Sequence, residues 1–415
     1  MKILTIGKGA REHALAWRIS QSLQCQELFV WPGNGGTSQL GWDVSLNAER
    51  LVEDIVGLGV DYVVIGPETF LAQGLVDDLQ SRGIPVFGPT KAAAQLETSK
   101  WFALEVMREA HVPRPTSFVF SNPQAAVTFA AGHGKPVVVK ADGLTGGKGV
   151  WLCHTPGEVE QYANLCWELH PNKPIVVQEL LKGKEVSVFC FTDGYHISSL
   201  VAACDYKRLL EGDQGPNTGG MGSYTWPHFW KKPLEEYVLE WILKPVLRSM
   251  SQKGMPFSGM LYAGLMLTKD GPKVLEFNAR FGDPEAQVIL PLLEGDLLEI
   301  MLACTKGRLD TVPVSWNRKR QAVGVVMVSY GYPNEYESGH PITRRNSHDS
   351  KNALVFHSST RREGETLVTD DESGRVLTVV GMGDKLFLAR EAAYSEVGKW
   401  DFPTAAWRED IASGR

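Results

Sequence analysis

The chain has few cysteines, six in 415 residues, at positions 25, 153, 166, 190, 204 and 304, and no two form a Cys-x-x-Cys pair. Such scattered thiols exclude a disulfide framework or a cysteine zinc site, and read as core residues in a reducing cytoplasm. The ten histidines show no His-Glu-x-x-His or similar ligand spacing, so the zinc-hydrolase pattern is missing. An excess of one charge is missing too. Net charge is −6 and the pI about 6.0, which leaves no electrostatic footprint for nucleic acid or an anionic membrane. No apolar run nears the ~20 residues that span a bilayer. Met1-Lys-Ile-Leu-Thr-Ile-Gly7 leads straight into a strand, and no signal peptide is expected. There is no internal repeat and no low-complexity segment. What is present is ordinary for a globular protein, with 43% hydrophobic and 22% charged residues. The length points to two to four structural units rather than one core.

Residues 1–90 read as a parallel α/β unit. Short apolar runs at Lys2–Ile6, Leu28–Trp31, Tyr62–Ile65 and Pro85–Phe87 alternate with helical stretches such as Glu12–Ser22. Alternation of this kind predicts a doubly wound sheet. Each run ends in a Gly/Pro loop: Gly7–Arg11, Pro32–Thr37, Gly66–Glu68 and Gly88–Thr90. Ligands bind such sheets at the carboxyl ends of strands. Residues 91–112 are helical, and Pro113-Arg-Pro115 breaks the pattern. A smaller mixed unit follows from 116 to about 190, with strands near Phe118–Phe120, Pro136–Lys140, Val150–Cys153, Ile175–Gln178 and Val186–Phe191. More strands follow in 195–310. A last unit opens with Ala322–Ser329 and holds runs at Ala353–Phe356 and Val376–Val380 and a helix near Leu386–Val397. The fold class is α/β and α+β, multidomain.

Five segments carry chemistry. Gly7-Lys-Gly-Ala-Arg-Glu12 invites a dinucleotide-binding reading, which fails because Glu12 stands at the third glycine and the second strand ends in Trp31-Pro32. What survives is a glycine turn at a helix start, suited to one phosphate, or a bare tight turn. Lys140-Ala-Asp-Gly-Leu-Thr-Gly-Gly-Lys-Gly149 is no Walker loop, since Asp142 and Gly149 stand where that motif needs Gly and Ser or Thr. It reads as a mobile hairpin over polyphosphate or a floppy connection; a lysine ending an apolar strand favours the first. Gln178-Glu-Leu-Leu-Lys-Gly-Lys-Glu185 is either an adenine-binding linker, with Glu185 on ribose hydroxyls, or an ordinary connection. Lys207 and Arg208 precede the glycine-rich loop 212–222, where an anion-handling role is expected.

The fifth segment, Glu276-Phe-Asn-Ala-Arg-Phe-Gly-Asp-Pro-Glu285, follows a hairpin signal: Met260–Leu267 and Val274–Phe277 joined around Asp270-Gly271. Strand alternation puts Glu276 and Asn278 on one face, about 7 Å apart, with Leu275 and Phe277 on the other. Two oxygen ligands suit Mg²⁺ completed by nucleotide phosphates, and Arg280 suits a carboxylate or phosphate. Asp283-Pro284-Glu285 also reads as a helix start with Asp283 as N-cap and Pro284 at N1.

Together these segments resemble the ATP-grasp superfamily and, more closely, the glycinamide ribonucleotide synthetase (phosphoribosylamine–glycine ligase) family. The carriers are Gly7–Ala16, Pro32–Thr37, Val64–Glu68, Phe87–Thr90, Lys140–Gly143, Gly147–Gly149, Gly215–Gly222 and Glu276–Glu285, with Arg408–Ile411 resembling the family's end. The resemblance implies a Rossmann-like domain at 1–100, an ATP-grasp domain at 101–312 with a lid subdomain at about 115–190, and a C-terminal domain at 313–415. It implies a cytoplasmic, monomeric ligase that uses ATP and Mg²⁺ (or Mn²⁺) to join glycine to 5-phosphoribosylamine through glycyl phosphate. No nucleic acid or membrane partner is expected.

Residue by residue, it implies Glu276 and Asn278 on the metal. It sets Lys100 and Lys140 on phosphates and Gly147, Lys148 and Gly149 in the lid. Glu179, Leu181 and Glu185 fall around the nucleoside. Arg280 takes the glycine carboxylate, Asp283 an amine, and Lys207 joins the catalytic group. Gly9 and Arg11 lie on the 5-phosphate, Glu68 on ribose, and Gly66, Asn217 and Thr218 at the substrate. Departures are Lys8-Gly9-Ala10 for Asn-Gly-Gly, Thr145-Gly146 for two alanines, Asp205-Tyr206-Lys207 for Asp-His-Lys, Gln214 for Thr and Ala279 for Cys. Lys8 adds a charge near the expected sugar-phosphate site. The competing readings are another ATP-grasp ligase or carboxylase, a Rossmann oxidoreductase and a non-catalytic nucleotide-binding regulator.

Overall fold

The computed structural model describes residues 1–146, 149–345, 350–403 and 405–414. Its N-terminal sheet has five parallel strands: Lys2–Gly7, Glu27–Pro32, Trp42–Asp43, Tyr62–Ile65 and Val86–Phe87. In space they run third, second, first, fourth, fifth. The first strand is therefore the switch point, with connections leaving to both sides, and a crevice opens at its carboxyl end beside that of the fourth strand. The central runs are buried on both faces; Ile3, Leu4, Ile6, Val63 and Val64 are fully enclosed. That is why they read as continuous apolar stretches rather than alternating ones.

The smaller unit is a four-stranded antiparallel sheet in the order Ser117–Phe120, Ile175–Glu179, Val137–Ala141, Val150–Cys153. Helices Pro123–His133 and Pro156–Leu169 cover it and give it a core of its own around Ala126, Val139, Val159, Ala163 and Cys166. Thr155 and Glu158 form a capping box at the start of the second helix, which fixes where that helix begins.

Everything else is organised by one long mixed-length sheet. Its order is Gly271–Asn278, Ser258–Thr268, Lys184–Asp193, Val201–Asp205, Gly222–Thr225, Gln321–Ser329, Arg375–Gly383, Ala353–His357. One expectation changes here. Val186–Phe191, grouped above with the smaller unit, pairs residue for residue with Ser258–Thr268 and so belongs to the long sheet. The last unit shares that sheet: Gly222–Tyr224 pairs with Val323–Val325, continuing the central sheet into it. Strand Lys184–Asp193 starts polar and exposed at Lys184 and Glu185 and is buried from Val186 on, a pattern that does not reveal which sheet receives it.

The hairpin forms as expected, with Gly271 at φ +107° closing its turn. The alternation beyond it is broken. A bulge opposite Gly264–Leu265 makes Leu275 an extra residue, so Val274 and Phe277 are both buried while Leu275 and Glu276 are both partly exposed. Bulges re-aim side chains beside functional sites. Among the described residues no helix is long and apolar enough to cross a membrane. All six cysteines are free thiols, and only Cys25 escapes full burial.

Candidate active site

The crevice of the N-terminal sheet, the end of the hairpin and the glycine-rich loop face one another. At the hairpin end, Glu276 is approached by lysines from three other elements. Lys140, next to last in its strand, donates to the Leu275 carbonyl at 3.2 Å, the carbonyl of the bulged residue. Lys100, at the start of helix Lys100–Glu109, donates to the Gly143 carbonyl at 3.0 Å. Lys207 donates to Glu185 at 3.0 Å.

Burial drives the Lys140 pKa down to about 8, with Lys100 and Lys207 adding repulsion and Glu276 opposing it. Burial also lowers Lys100, against the pull of Glu276 and Asp142. Burial alone would raise the Glu276 carboxyl, but Lys207, Lys140 and Lys100 outweigh it and hold it below the ordinary carboxylate value. Lys207 stands well above the ordinary lysine value, chiefly through Asp205 and then Glu185. Asp205 is itself pushed by burial up to about 7, against the attraction of Lys207. Among the described residues, no three His, Cys, Asp or Glu side chains gather around a point that could hold a metal. Glu276 and Asn278 fit a hard cation that completes its shell with phosphate oxygens and water.

The second cluster is built on Arg280. Its Nε donates to Glu68 at 2.9 Å and its Nη2 lies 2.9 Å from Glu97. Arg11 stands 3.8 Å from the same Glu68 oxygen. Burial would raise Glu68, yet Arg280 and then Arg11 bring it down to about 2. Arg280 is held above the ordinary arginine value because Glu68 and Glu97 overcome its burial. Glu97 also accepts the Ala279 amide at 2.7 Å. That contact uses backbone only, so alanine at 279 serves.

Asp283 was expected to cap a helix, and it does not. Helix Glu285–Ile289 has Pro284 at its cap position with no side-chain cap. The Asp283 carboxylate instead accepts from Gln287 at 2.7 Å and from Arg375 at 2.8 Å. Burial works against its ionisation, but Arg375 and Arg11 keep it below the ordinary aspartate value. A charged partner from the last unit is a stronger donor than backbone amides at a one-turn helix.

The N-terminal turn is also filled from within. Glu12 accepts the Gly9 amide at 2.8 Å and the Arg11 Nε at 2.6 Å. A Cβ at Gly7 or at Gly66 would lie 2.2 or 2.1 Å from Glu12 atoms. Both glycines are thus required by the buried Glu12, and the Gly9 amide expected on a phosphate is already used. Lys8 turns away to Asp370 and Glu372, each at 2.6 Å.

Among the residues expected around the nucleoside, Leu180–Gly183, which includes Leu181, lies outside both flanking strands and joins the small sheet to the long one. The Glu179 side chain is engaged by Lys273 at 2.8 Å and the Thr116 amide at 3.1 Å. Gly149 accepts from Ala141 through its carbonyl at 3.0 Å, and its bare Cα admits Thr145, whose Oγ1 would lie 2.4 Å from a Cβ there. Gly147 and Lys148 lie outside the described residues. Asn217 is exposed on strand Gln214–Asn217 and pairs with Arg208. Thr218 donates its hydroxyl to the Lys207 carbonyl at 2.9 Å.

Three models of phosphoribosylglycinamide synthetase match the chain in succession: the N domain over residues 1–97, the ATP-grasp (A) domain over 98–286 and the C domain over 322–414. The chain belongs to the phosphoribosylglycinamide synthetase family. The phosphoribosylamine–glycine ligase of Caldanaerobacter subterraneus is 43% identical over 422 residues, covering 100% of both chains. The trifunctional purine biosynthetic protein adenosine-3 of Gallus gallus is 43% identical across 99% of this chain, which spans 42% of that longer protein. The crystal structure of the Thermotoga maritima phosphoribosylamine–glycine ligase superposes with a TM-score of 0.86 at 32% identity, covering 99% of this chain and 100% of that one. The biotin carboxylase domain of Hydrogenobacter thermophilus 2-oxoglutarate carboxylase shares the fold, with a TM-score of 0.76 at 15% identity, covering 98% of this chain and 91% of that one.

Two charged residues that this synthetase fold brings to the centre are not legible in the sequence. Glu97 sits in a helix of alanines and polar residues, Lys91–Thr98, and looks like a solvated glutamate. Arg375 begins a strand in the stretch least like any motif. In neither case is there a local signal, because each acts on residues far away in sequence.

Proposed function

We propose that the chain is a phosphoribosylamine–glycine ligase of purine biosynthesis, converting ATP, glycine and 5-phosphoribosylamine to glycinamide ribonucleotide, ADP and phosphate. The observation that carries this reading is the pairing of a lysine-rich cradle around Glu276 with an arginine clamped beside it. A carboxylate is a poor electrophile, and three anions must be gathered before it can react: nucleotide, glycine and sugar phosphate. Phosphoryl transfer needs little from the protein beyond positioning and charge stabilisation.

In this reading the glycine carboxylate attacks the γ-phosphorus, ADP leaves, and the amine then attacks the acyl carbon and expels phosphate. Lys100, Lys140 and Lys207 neutralise the polyphosphate. Arg280 steadies first the glycine carboxylate and then the acyl phosphate. Asp283, Arg11, Asn217 and Thr218 bound the substrate side, Gly9 and Gly66 shape the N-terminal wall, and Leu181 and Glu185 frame the nucleoside. Glu276 and Asn278 would hold Mg²⁺ or Mn²⁺, which supplies charge neutralisation to the β- and γ-phosphates when bound. Six free thiols support a reducing cytoplasm as the compartment.

The test is phosphate release with all three substrates, omitting each in turn, and with bicarbonate in place of glycine. Release that requires glycine and phosphoribosylamine is expected. Release supported by bicarbonate instead would favour a carboxylase and end the ligase reading.

A further inference from the structure

The tip of the glycine-rich loop is held by the last unit rather than by its own neighbours. Gly219 donates its amide to the Tyr332 hydroxyl at 2.9 Å and accepts Arg375 Nη1 on its carbonyl at 2.8 Å. Arg375 is 156 residues further along the chain. The same guanidinium donates to the Asp283 carboxylate at 2.8 Å and to the Asp283 carbonyl at 3.3 Å. Two glycines admit this arrangement. A Cβ on Gly219 would stand 3.1 Å from Arg375 Cζ, and one on Gly220, at φ +112°, would stand 2.5 Å from Pro284 Cδ. The gripped tip leads directly to the cradle. Thr218 donates both its amide and its hydroxyl to the Lys207 carbonyl, at 2.7 and 2.9 Å, and the Gly220 amide donates to Thr218 Oγ1 at 3.0 Å. A bulge opposite Met327–Val328 makes Val376, the residue after Arg375, an extra one in its strand.

We propose that Arg375 is a positioning residue for the ligase reaction: with Tyr332 it fixes the glycine loop, and through it Lys207, against the Arg280–Glu285 segment. The last unit thereby becomes part of the phosphoryl-transfer machinery and not only a wall of the substrate site. The inference rests on the ligase reading above. An arginine is required because its fork reaches two acceptors in fixed geometry, where a lysine reaches one. The role is positional because the guanidinium is already matched to Asp283 and to two carbonyls.

The experiment compares full-length wild type with Arg375→Met, Arg375→Lys and Tyr332→Phe. Two readouts are taken: amide exchange at Thr218–Met221, and steady-state phosphate release with ATP, glycine and phosphoribosylamine. Arg375→Met is expected to speed exchange and to cut kcat about 100-fold, the scale of a misplacement near 1 Å, with KM for ATP changed less than about threefold. Lysine should recover only part of kcat, and Arg375→Met with Asp283→Asn should be non-additive. Unchanged exchange would overturn the proposal, as would faster exchange with unchanged kcat. A defect confined to KM for phosphoribosylamine would overturn it too, marking Arg375 as a direct ligand. If Arg375→Met does not fold, Tyr332→Phe carries the same two readouts with one contact removed. Absence of wild-type turnover would sink the ligase reading, and amide exchange would still decide whether Arg375 holds the loop.

Discussion

The cradle around Glu276 and the clamp around Arg280 are neighbours that partner their cations differently. In the cradle, Lys100 and Lys140 donate to backbone carbonyls and not to carboxylates, and Lys207 is shared with Glu185 and Asp205. Burial therefore lowers Lys100 and Lys140, against the pull of Glu276, while Asp205 and Glu185 raise Lys207. In the clamp each cation has its carboxylate: Arg280 has Glu68 and Glu97, and Arg375 has Asp283. A lysine held only by a backbone carbonyl keeps its charge available to an incoming anion. A compensated cluster marks groups already held in the geometry they need, since a buried ion pair contributes more to specificity of arrangement than to net stability.

The comparison can be broken at four points. Removing the oxygen pair of the cradle with Glu276→Ala and Asn278→Ala should have the largest effect. Turnover in Mg²⁺ is expected to fall by about 10³-fold or more; near-normal Mg²⁺-dependent rates would take both residues out of the metal site. Arg280→Lys keeps the charge of the clamp but loses its fork. A drop of about 10²-fold in kcat is expected, and a rate within a factor of two of wild type would remove Arg280 from the chemistry.

A finer test uses pH. Lys140 is lowered by burial to about 8, so in the free protein its charge is present below that pH and is lost as pH rises through it. ATP binding should therefore weaken above about pH 8, with proton uptake on binding. Lys140→Arg should move that limb upward, because arginine stays charged. Titration calorimetry at several pH values measures both, and affinity flat across pH 7–9 would refute the assignment. Folding follows the opposite sign, since the unfolded lysine holds its proton to higher pH. Its contribution to stability grows as pH rises from about 8 toward the unfolded value.

The smallest effect is expected at Lys8, whose ion pairs with Asp370 and Glu372 are partly exposed. Lys8→Ala should cost no more than about 1 kcal/mol in urea melts and leave turnover nearly unchanged. A large loss of activity would mean that Lys8 turns toward substrate.

Much of this was readable from local pattern. The parallel sheet, the hairpin and the glycine loops announce themselves because their causes are local: apolar runs, turn residues and periodicity. Leu275 shows where that stops. Alternation sets Leu275 and Phe277 on one face, but the bulge depends on the partner strand and separates them. Glu12 is similar; it reads as a failed dinucleotide motif and turns out to fill the turn that Gly7 and Gly66 leave open. Asp283 reads as a helix cap until Arg375 is brought to it from the last unit.

By itself, then, the sequence determined the fold class, the family and the segments proposed to carry the chemistry, since these follow from short-range residue order. Only the tertiary structure decided which charges meet which partners. Glu97, Arg375 and Asp370 reach their partners across a few ångströms of space and long stretches of chain, and electrostatic balance depends on distance in space.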